Sequence, residues 1–379
     1  MLPALKSGRP RLADVLTSCL GAISGESNAL ALPKVDRAIV LLVDGLGSAV
    51  LKARAGHART LMKHMTSSSV IESGFPTTTA AALASLTTGV QPGEHGMVGY
   101  AVRDIAHDRV VKQLSGWDSL MNPLEWQPVP TVFERAVDSG FSAVVIGPDR
   151  YKSTAFTTAV LRGAEYVSAS SVADRVDRAI QWLRTPGTKG IAYVYVPELD
   201  SVGHAEGAGS VEWTEKLESL DGAIAELSTA LGPKEGMIVT ADHGMIDISV
   251  RSHIFVDESP SLIDGVRFVA GEPRCVQLYL EPDASAQIAE SLRQAWLEVE
   301  GERAWVLTRA EAVAAGWFGP VREDVLPRIG DLIVAARKNV AYYDGRVPPP
   351  PHPMIGQHGS WTPAEVQVPL LKFGAFALS

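Results

Sequence analysis

Cysteine is nearly absent from this chain of 379 residues: only Cys19 and Cys275 occur, which excludes a disulfide scaffold and leaves room for one bridge at most. Long apolar runs are missing as well. No window approaches the roughly 18 uncharged apolar residues that a membrane span needs, so no membrane partner is expected. The first twenty residues mix Lys6, Arg9, Arg11 and Asp14 into apolar neighbours and lack the hydrophobic stretch of a secretory signal. A cytoplasmic location is the default expectation. An excess of positive charge is lacking too: 34 basic against 43 acidic side chains give a formal charge of -9, which repels a phosphate backbone, so no nucleic-acid polymer is expected as partner. Repeats, charge blocks and low-complexity tracts are absent. What remains, 46% hydrophobic and 20% charged, has the composition of an ordinary folded protein. Its length alone predicts two to three units at roughly 150 residues each.

Four short apolar, β-branched runs read as buried parallel strands: Ala38 to Val43, Ala143 to Ile146, Ile191 to Val196 and Met237 to Thr240. The segments between them are long enough for crossover helices. Within Val211 to Leu231, Leu217, Leu220, Ile224, Leu227 and Leu231 alternate spacings of three and four, which predicts one buried helical face. Strand and helix alternating in this way predict an α/β fold with a largely parallel central sheet flanked by helices. Residues 251 to 350 break the pattern with a strand-like Arg274 to Leu280, a helix around Ala286 to Val299 and a strand at Gly330 to Ala336. They read as a small α+β cap insertion, with core strands inside it as the alternative. The prolines Pro348 to Pro351 and Pro353 read as a stiff extended return.

Three of these strands end alike. Asp44 follows the first, Asp200 stands four residues past the third, and Asp242 with His243 follows the fourth. All lie at carboxyl ends, which share one edge of a parallel sheet and form its ligand sites. Each has an ordinary alternative: an Asp before Gly is commonly a turn former, and Asp200 with His204 four residues on can be a surface pair on one helix face. Together, three aspartates on one edge repel one another unless a cation joins them. Mixed carboxylates and imidazoles suit Zn(II), Mn(II) or Fe(II) better than Ca(II) or Mg(II). A second unusual stretch, Gly74-Phe75-Pro76-Thr77-Thr78-Thr79 before an alanine-rich run, reads either as a threonine helix cap or as a nucleophile at a helix N-terminus. The residues alone do not separate these two.

The motifs LLVDGLG, GFPTTTAAALASLTTG with PGEHGM, ELDSVGHAEG, TADHGM and HGSWTPAEVQVPLL together resemble the nucleotide pyrophosphatase/phosphodiesterase branch of the alkaline phosphatase superfamily, in family order from about residue 38 to 371. The resemblance implies two divalent metal ions, usually zinc. It places Asp44, Asp242, His243 and the nucleophile on one, and Asp200, His204 and His358 on the other. Its Pro-Thr-x-Thr register selects Thr79 as the attacking residue. The family's following Phe-Pro-Asn falls on Ala80, Ala81 and Ala82, so the Asn that helps to bind phosphoryl oxygens is missing. His358 is preferred over His352 because Gly359 and the SWTPAEVQVPLL pattern follow it, and His95 matches a structural part of its motif.

The implied activity is cleavage of a small phosphodiester or nucleotide pyrophosphate through a phosphothreonine. Three ligand aspartates, two divalent ions and a diester monoanion sum to zero charge. A monoester dianion would leave one negative charge, unless an arginine such as Arg150 or Arg162 offsets it. A phosphomonoesterase or a phosphonate hydrolase is the alternative within enzymes, a mutase with a Ser nucleophile is a weaker one, and an inactive binding protein is the alternative outside them. Trp317, Phe318, Tyr342 and Tyr343 are candidate stacking partners for a base, with plain packing as the other expectation. Because ligands from residue 44 to residue 358 must meet, the expected organisation is one catalytic core, 1–250 with 351–379, interrupted by the insertion at 251–350.

Overall fold

The computed structural model describes residues 2–4, 8–347 and 353–378. The proline return and His352 fall outside them, apart from Pro353. Seven strands form the central sheet: β1 (Arg37–Val43), β2 (Val70–Glu72), β3 (Ser142–Gly147), β4 (Glu165–Ser168), β5 (Gly190–Val196), β6 (Glu235–Thr240) and, after an interval with its own strands, β11 (Gln367–Gly374). Their order is β2-β11-β6-β1-β5-β3-β4. Strands β6, β1, β5, β3 and β4 run parallel to their neighbours, whereas β11 is antiparallel to both β6 and β2. Ala38 through Val43 are all fully buried. Both faces of β1 are therefore covered, which is why the strand reads as an unbroken apolar run rather than an alternating one.

Three helices matter most here: α1 (Thr79–Thr88), α2 (Glu198–Glu206) and α3 (Val211–Thr229). Helix α3 starts at Ser210, whose hydroxyl caps the amide of Trp213, and buries Leu217, Leu220, Ile224 and Leu227 in the main core. Leu231 lies beyond its end.

A second sheet lies within 266–336: β7 (Val266–Glu272), β8 (Cys275–Leu280), β9 (Ala304–Thr308) and β10 (Leu332–Ala336), in the order β7-β8-β10-β9 with every pairing antiparallel. Helix α4 (Ala286–Glu300) packs on it through Leu292 and Trp296. A separate apolar cluster takes Cys275, Leu307, Ile333 and Ala335 from the small sheet, and in it Phe75 stacks on Trp361 at 5.2 Å and meets Trp317 edge-on at 4.6 Å. Trp317 and Phe318 are fully buried there, and the buried hydroxyl of Tyr342 donates to Glu300. Packing thus claims all three, and only Tyr343 of the four candidate stacking residues stays partly open. Cys19 and Cys275 are free, buried thiols. Among the described residues no helix is long and apolar enough to cross a membrane.

Candidate metal centre and nucleophile

The three strands that end in acidic residues are neighbours: β1 lies between β5 and β6. Asp44 leaves the end of β1, and Asp242 and His243 follow β6 by two and three residues. Asp200 and His204 stand one turn apart on α2, which opens directly after β5. His358 arrives from the far end of the chain directly after the short strand Gly356–Gln357, which pairs with Ile246–Asp247 just past His243. Two groups result, Asp44 with Asp242 and His243, and Asp200 with His204 and His358, each offering ligand atoms within 4.8 Å of one another. They adjoin, since the His243 and His358 rings stack with centroids 3.5 Å apart.

Close backbone contact makes this convergence possible. A Cβ on Gly244 would lie 2.0 Å from the carbonyl oxygen of Ala364, and one on Gly47 would lie 2.6 Å from the Gly244 Cα. The glycines after Asp44 and His243 thus let two ligand loops and the segment after His358 touch.

The protonation pattern tests whether a metal fits. His204 Nδ1 lies 2.7 Å from the carbonyl of Gly356, and His358 Nδ1 lies 2.7 Å from that of Thr77. A carbonyl only accepts, so both Nδ1 atoms carry the proton and both Nε2 atoms present lone pairs. Those Nε2 atoms face each other at 3.3 Å, with Asp200 Oδ1 3.3 Å and 3.7 Å away. In the other group His243 Nδ1 donates to the Gly244 carbonyl at 3.1 Å, while its Nε2 lies 3.3 Å from Asp44 Oδ1 and 3.4 Å from Asp242 Oδ2. Asp44 Oδ1, Asp200 Oδ1 and Asp242 Oδ2 are buried with no hydrogen-bond partner. The remaining oxygens of Asp44 and Asp242 are held by the fold: Tyr195 Oη donates to Asp44 Oδ2, and the amides of Gly45 and His243 donate to Asp242 Oδ1. Lone pairs and orphaned carboxylate oxygens aimed at one another are what a divalent cation satisfies. The residues fit two such ions.

Electrostatics agree. Burial, then the charge of Asp242, pushes the Asp44 carboxyl well above the usual range. Burial and Asp44 raise Asp200 to about 8, and burial and Asp200 raise Asp242 to about 7. Burial holds His243 down to about 4, and burial, with the His243 and His204 rings close by, takes His358 well below its ordinary value.

Thr79 is the first residue of α1. Its Oγ1 lies 3.2 Å from His243 Nε2, which brings it to the Asp44 group. Thr78 occupies the N-cap position without making a side-chain cap bond, so the threonines do not serve as a cap. Ala80, Ala81 and Ala82 are buried, and the first amides of α1 have no partner within the helix. His95 bonds Ser85 Oγ at 3.0 Å and the Met97 amide at 3.1 Å in full burial, a packing role.

Sequence reasoning missed the aromatic surroundings. A cavity of about 550 Å³ is lined by Leu83 of α1 and by Trp117, Arg150, Tyr151, Phe156, Tyr166, Tyr193 and Tyr195. Tyr195 joins it to Asp44. The alternation of Tyr193 and Tyr195 in β5 marks two rings on one strand face, and that was the available signal. Arg162 is occupied by Glu134 and by the carbonyls of Gln127, Val129 and Ala159. Arg150 stands over the Tyr151 ring at 4.7 Å on the cavity wall.

The sequence profile of the family described as Type I phosphodiesterase / nucleotide pyrophosphatase matches residues 38–361. Mouse ectonucleotide pyrophosphatase/phosphodiesterase family member 3 is 28% identical over 199 residues, 50% of this chain and 22% of that protein. Phosphopentomutase of Anaeromyxobacter dehalogenans is 29% identical over 123 residues, 31% of this chain and 28% of that one. The chain therefore spans about a quarter of the length of these curated relatives. Among solved structures, murine ectonucleotide pyrophosphatase/phosphodiesterase 5, an inactive threonine-to-alanine form in complex with AMP, superposes with a TM-score of 0.69 at 16% identity, covering 89% of this chain and 88% of that one. Phosphonoacetate hydrolase from Sinorhizobium meliloti, in complex with phosphonoacetate, gives 0.71 at 19% identity, covering 90% and 91%. The profile begins inside β1 and ends just past His358, enclosing both ligand groups and Thr79: the chain belongs to the Type I phosphodiesterase/nucleotide pyrophosphatase family.

Proposed function

We propose that this chain is a two-metal phosphohydrolase, with zinc the favoured ion, that cleaves phosphodiester or nucleotide pyrophosphate bonds through a phosphothreonine on Thr79. The observation that carries it is the placement of the Thr79 hydroxyl beside a group whose orphaned carboxylate oxygens and imidazole lone pair call for a cation. Asp44, Asp242 and His243 hold one ion beside Thr79, and Asp200, His204 and His358 hold the other. When bound, the ions supply the positive charge that acidifies a hydroxyl or a water and neutralises phosphoryl oxygens. Thr79 attacks phosphorus, the leaving oxygen departs, and water then hydrolyses the phosphothreonine. The free amides at the start of α1 receive phosphoryl oxygens where the family's Asn is replaced by alanine. The core comprises 1–250 and 351–379, and 251–350 forms the insertion.

The cavity beside Asp44 favours a substrate with a sizeable planar or apolar organic group. At about 550 Å³ with aromatic walls, it exceeds what a small phosphonate needs, and ring faces suit a base. The test is turnover of bis- and mono-(p-nitrophenyl) phosphate by zinc-loaded wild type and Thr79→Ala. The diester is expected to be preferred, and the variant is expected to lose at least about 10³-fold in kcat, the scale on which removing a covalent nucleophile acts. Undiminished turnover by Thr79→Ala would overturn the assignment.

A further inference from the structure

Thr77 lies two residues before the nucleophile and is fully buried. It is tied to the segment that carries His358 by four hydrogen bonds. Its carbonyl accepts from His358 Nδ1 at 2.7 Å. Its hydroxyl donates to the Ser360 carbonyl at 2.8 Å and accepts from the Gly359 amide at 2.9 Å. Its amide donates to the Gly359 carbonyl at 3.3 Å. The two segments are 281 residues apart in the chain, and nothing in the motif spacing foretold that they would be joined here. Gly359, at φ +139°, has the backbone freedom that this crossing requires.

We infer that Thr77 is a positioning residue: it fixes the tautomer and ring orientation of His358 and couples that ligand to the turn that presents Thr79. This rests on the two-metal reading above and assigns a role to a threonine that the nucleophile assignment leaves idle. The carbonyl holds the proton on Nδ1, so that Nε2 faces Asp200 and His204. The hydroxyl holds the carbonyl in place, because it uses both its donor and its acceptor capacity on the two residues after His358. Valine keeps the shape of threonine and removes both hydroxyl bonds. Serine keeps the bonds.

The test compares Thr77→Val and Thr77→Ser with wild type by chelator-competition titration of zinc, by melting temperature, and by long-range 1H–15N NMR of the histidine ring in metal-stripped protein. Thr77→Val is expected to weaken one of two zinc sites by about 10–100-fold, the usual effect of losing an outer support, and to spare the other. Thr77→Ser is expected to restore both affinities, and the wild-type His358 ring to be in the Nδ1–H form. Unchanged zinc affinities in Thr77→Val, equal weakening of both sites, no rescue by serine, or an Nε2–H ring in wild type would each overturn the inference. If Thr77→Val does not fold, the wild-type tautomer and the serine variant decide. Fewer than two zinc ions in wild type would instead sink the two-metal reading, and the tautomer, read without metal, would still judge Thr77.

Discussion

At the scale of single residues, the centre is a set of side chains each unsuited to its surroundings without a cation. Asp200 and Asp242 sit at about 8 and about 7, against an ordinary unfolded carboxyl value near ~4. A raised folded-state pKa stabilises the fold at low pH, and that contribution is lost as pH rises through the folded value. His243 moves the opposite way, down to about 4, but above about 6.5 an imidazole is mostly neutral in the unfolded chain too. Between about pH 6.5 and 8 the carboxylates therefore dominate. Metal-stripped protein is expected to lose unfolding free energy across that window, with Asp44 and the buried Glu272, raised to about 8, adding to the fall, and bound zinc to remove the part due to the three ligand carboxylates. Urea unfolding at both ends of the window, with and without chelator, measures this. A metal-free stability that rises with pH would contradict the assignment. The residues behind this behaviour were visible in the sequence as acids and imidazoles at strand ends. Of the cavity only the Tyr193/Tyr195 alternation showed; the bonds that Tyr195 and Thr77 make did not, because their partners lie across the fold with no fixed spacing.

At the scale of elements, local pattern carried far. Strands β1, β3, β5 and β6 each carry a continuous apolar run inside their bounds, and the leucine spacing of α3 matches its buried face. Elements whose identity depends on a distant partner were not legible. The hairpin of Ala101–Asp104 with Arg109–Lys112 has only short, mixed strands. The antiparallel entry of β11 beside β6 follows from how the chain returns, not from its composition. The loops after β1 and β6 show how little room the elements leave at the site. Gly244→Ala places a methyl group 2.0 Å from a backbone oxygen, so one loop must move. The expected outcome is a loss of about 1–3 kcal/mol in stability, with weakened metal binding at the His243 group. Calorimetry together with a zinc titration reads both, and a variant indistinguishable from wild type would show that the loops are not held this way.

At the scale of the whole molecule, one site gathers residues from Asp44 to His358, and a buried ion pair helps to hold its two sides together. Arg274, at the turn between β7 and β8, pairs with Glu365 at 2.9 Å with both side chains fully buried. Arg274 also donates to the carbonyls of Ala336, Lys338 and Val340. Glu365 in turn accepts from the Ser360 amide at 3.0 Å, and its own carbonyl receives the Gly244 amide at 2.7 Å. The small sheet, the His358 segment and the His243 loop are thus bound to one another through charges that have no exposed alternative. Motif order made the convergence legible, whereas the means of joining was hidden in an arginine and a glutamate that look ordinary in sequence. The central claim is that this convergence builds two metal sites. It is tested most directly by counting transition-metal ions per chain, by mass spectrometry after gel filtration, in wild type and in His358→Ala. The account predicts two ions in wild type and one in the variant, the Asp44 group keeping its ion. A wild type with fewer than two, or a variant that still holds two, would contradict it.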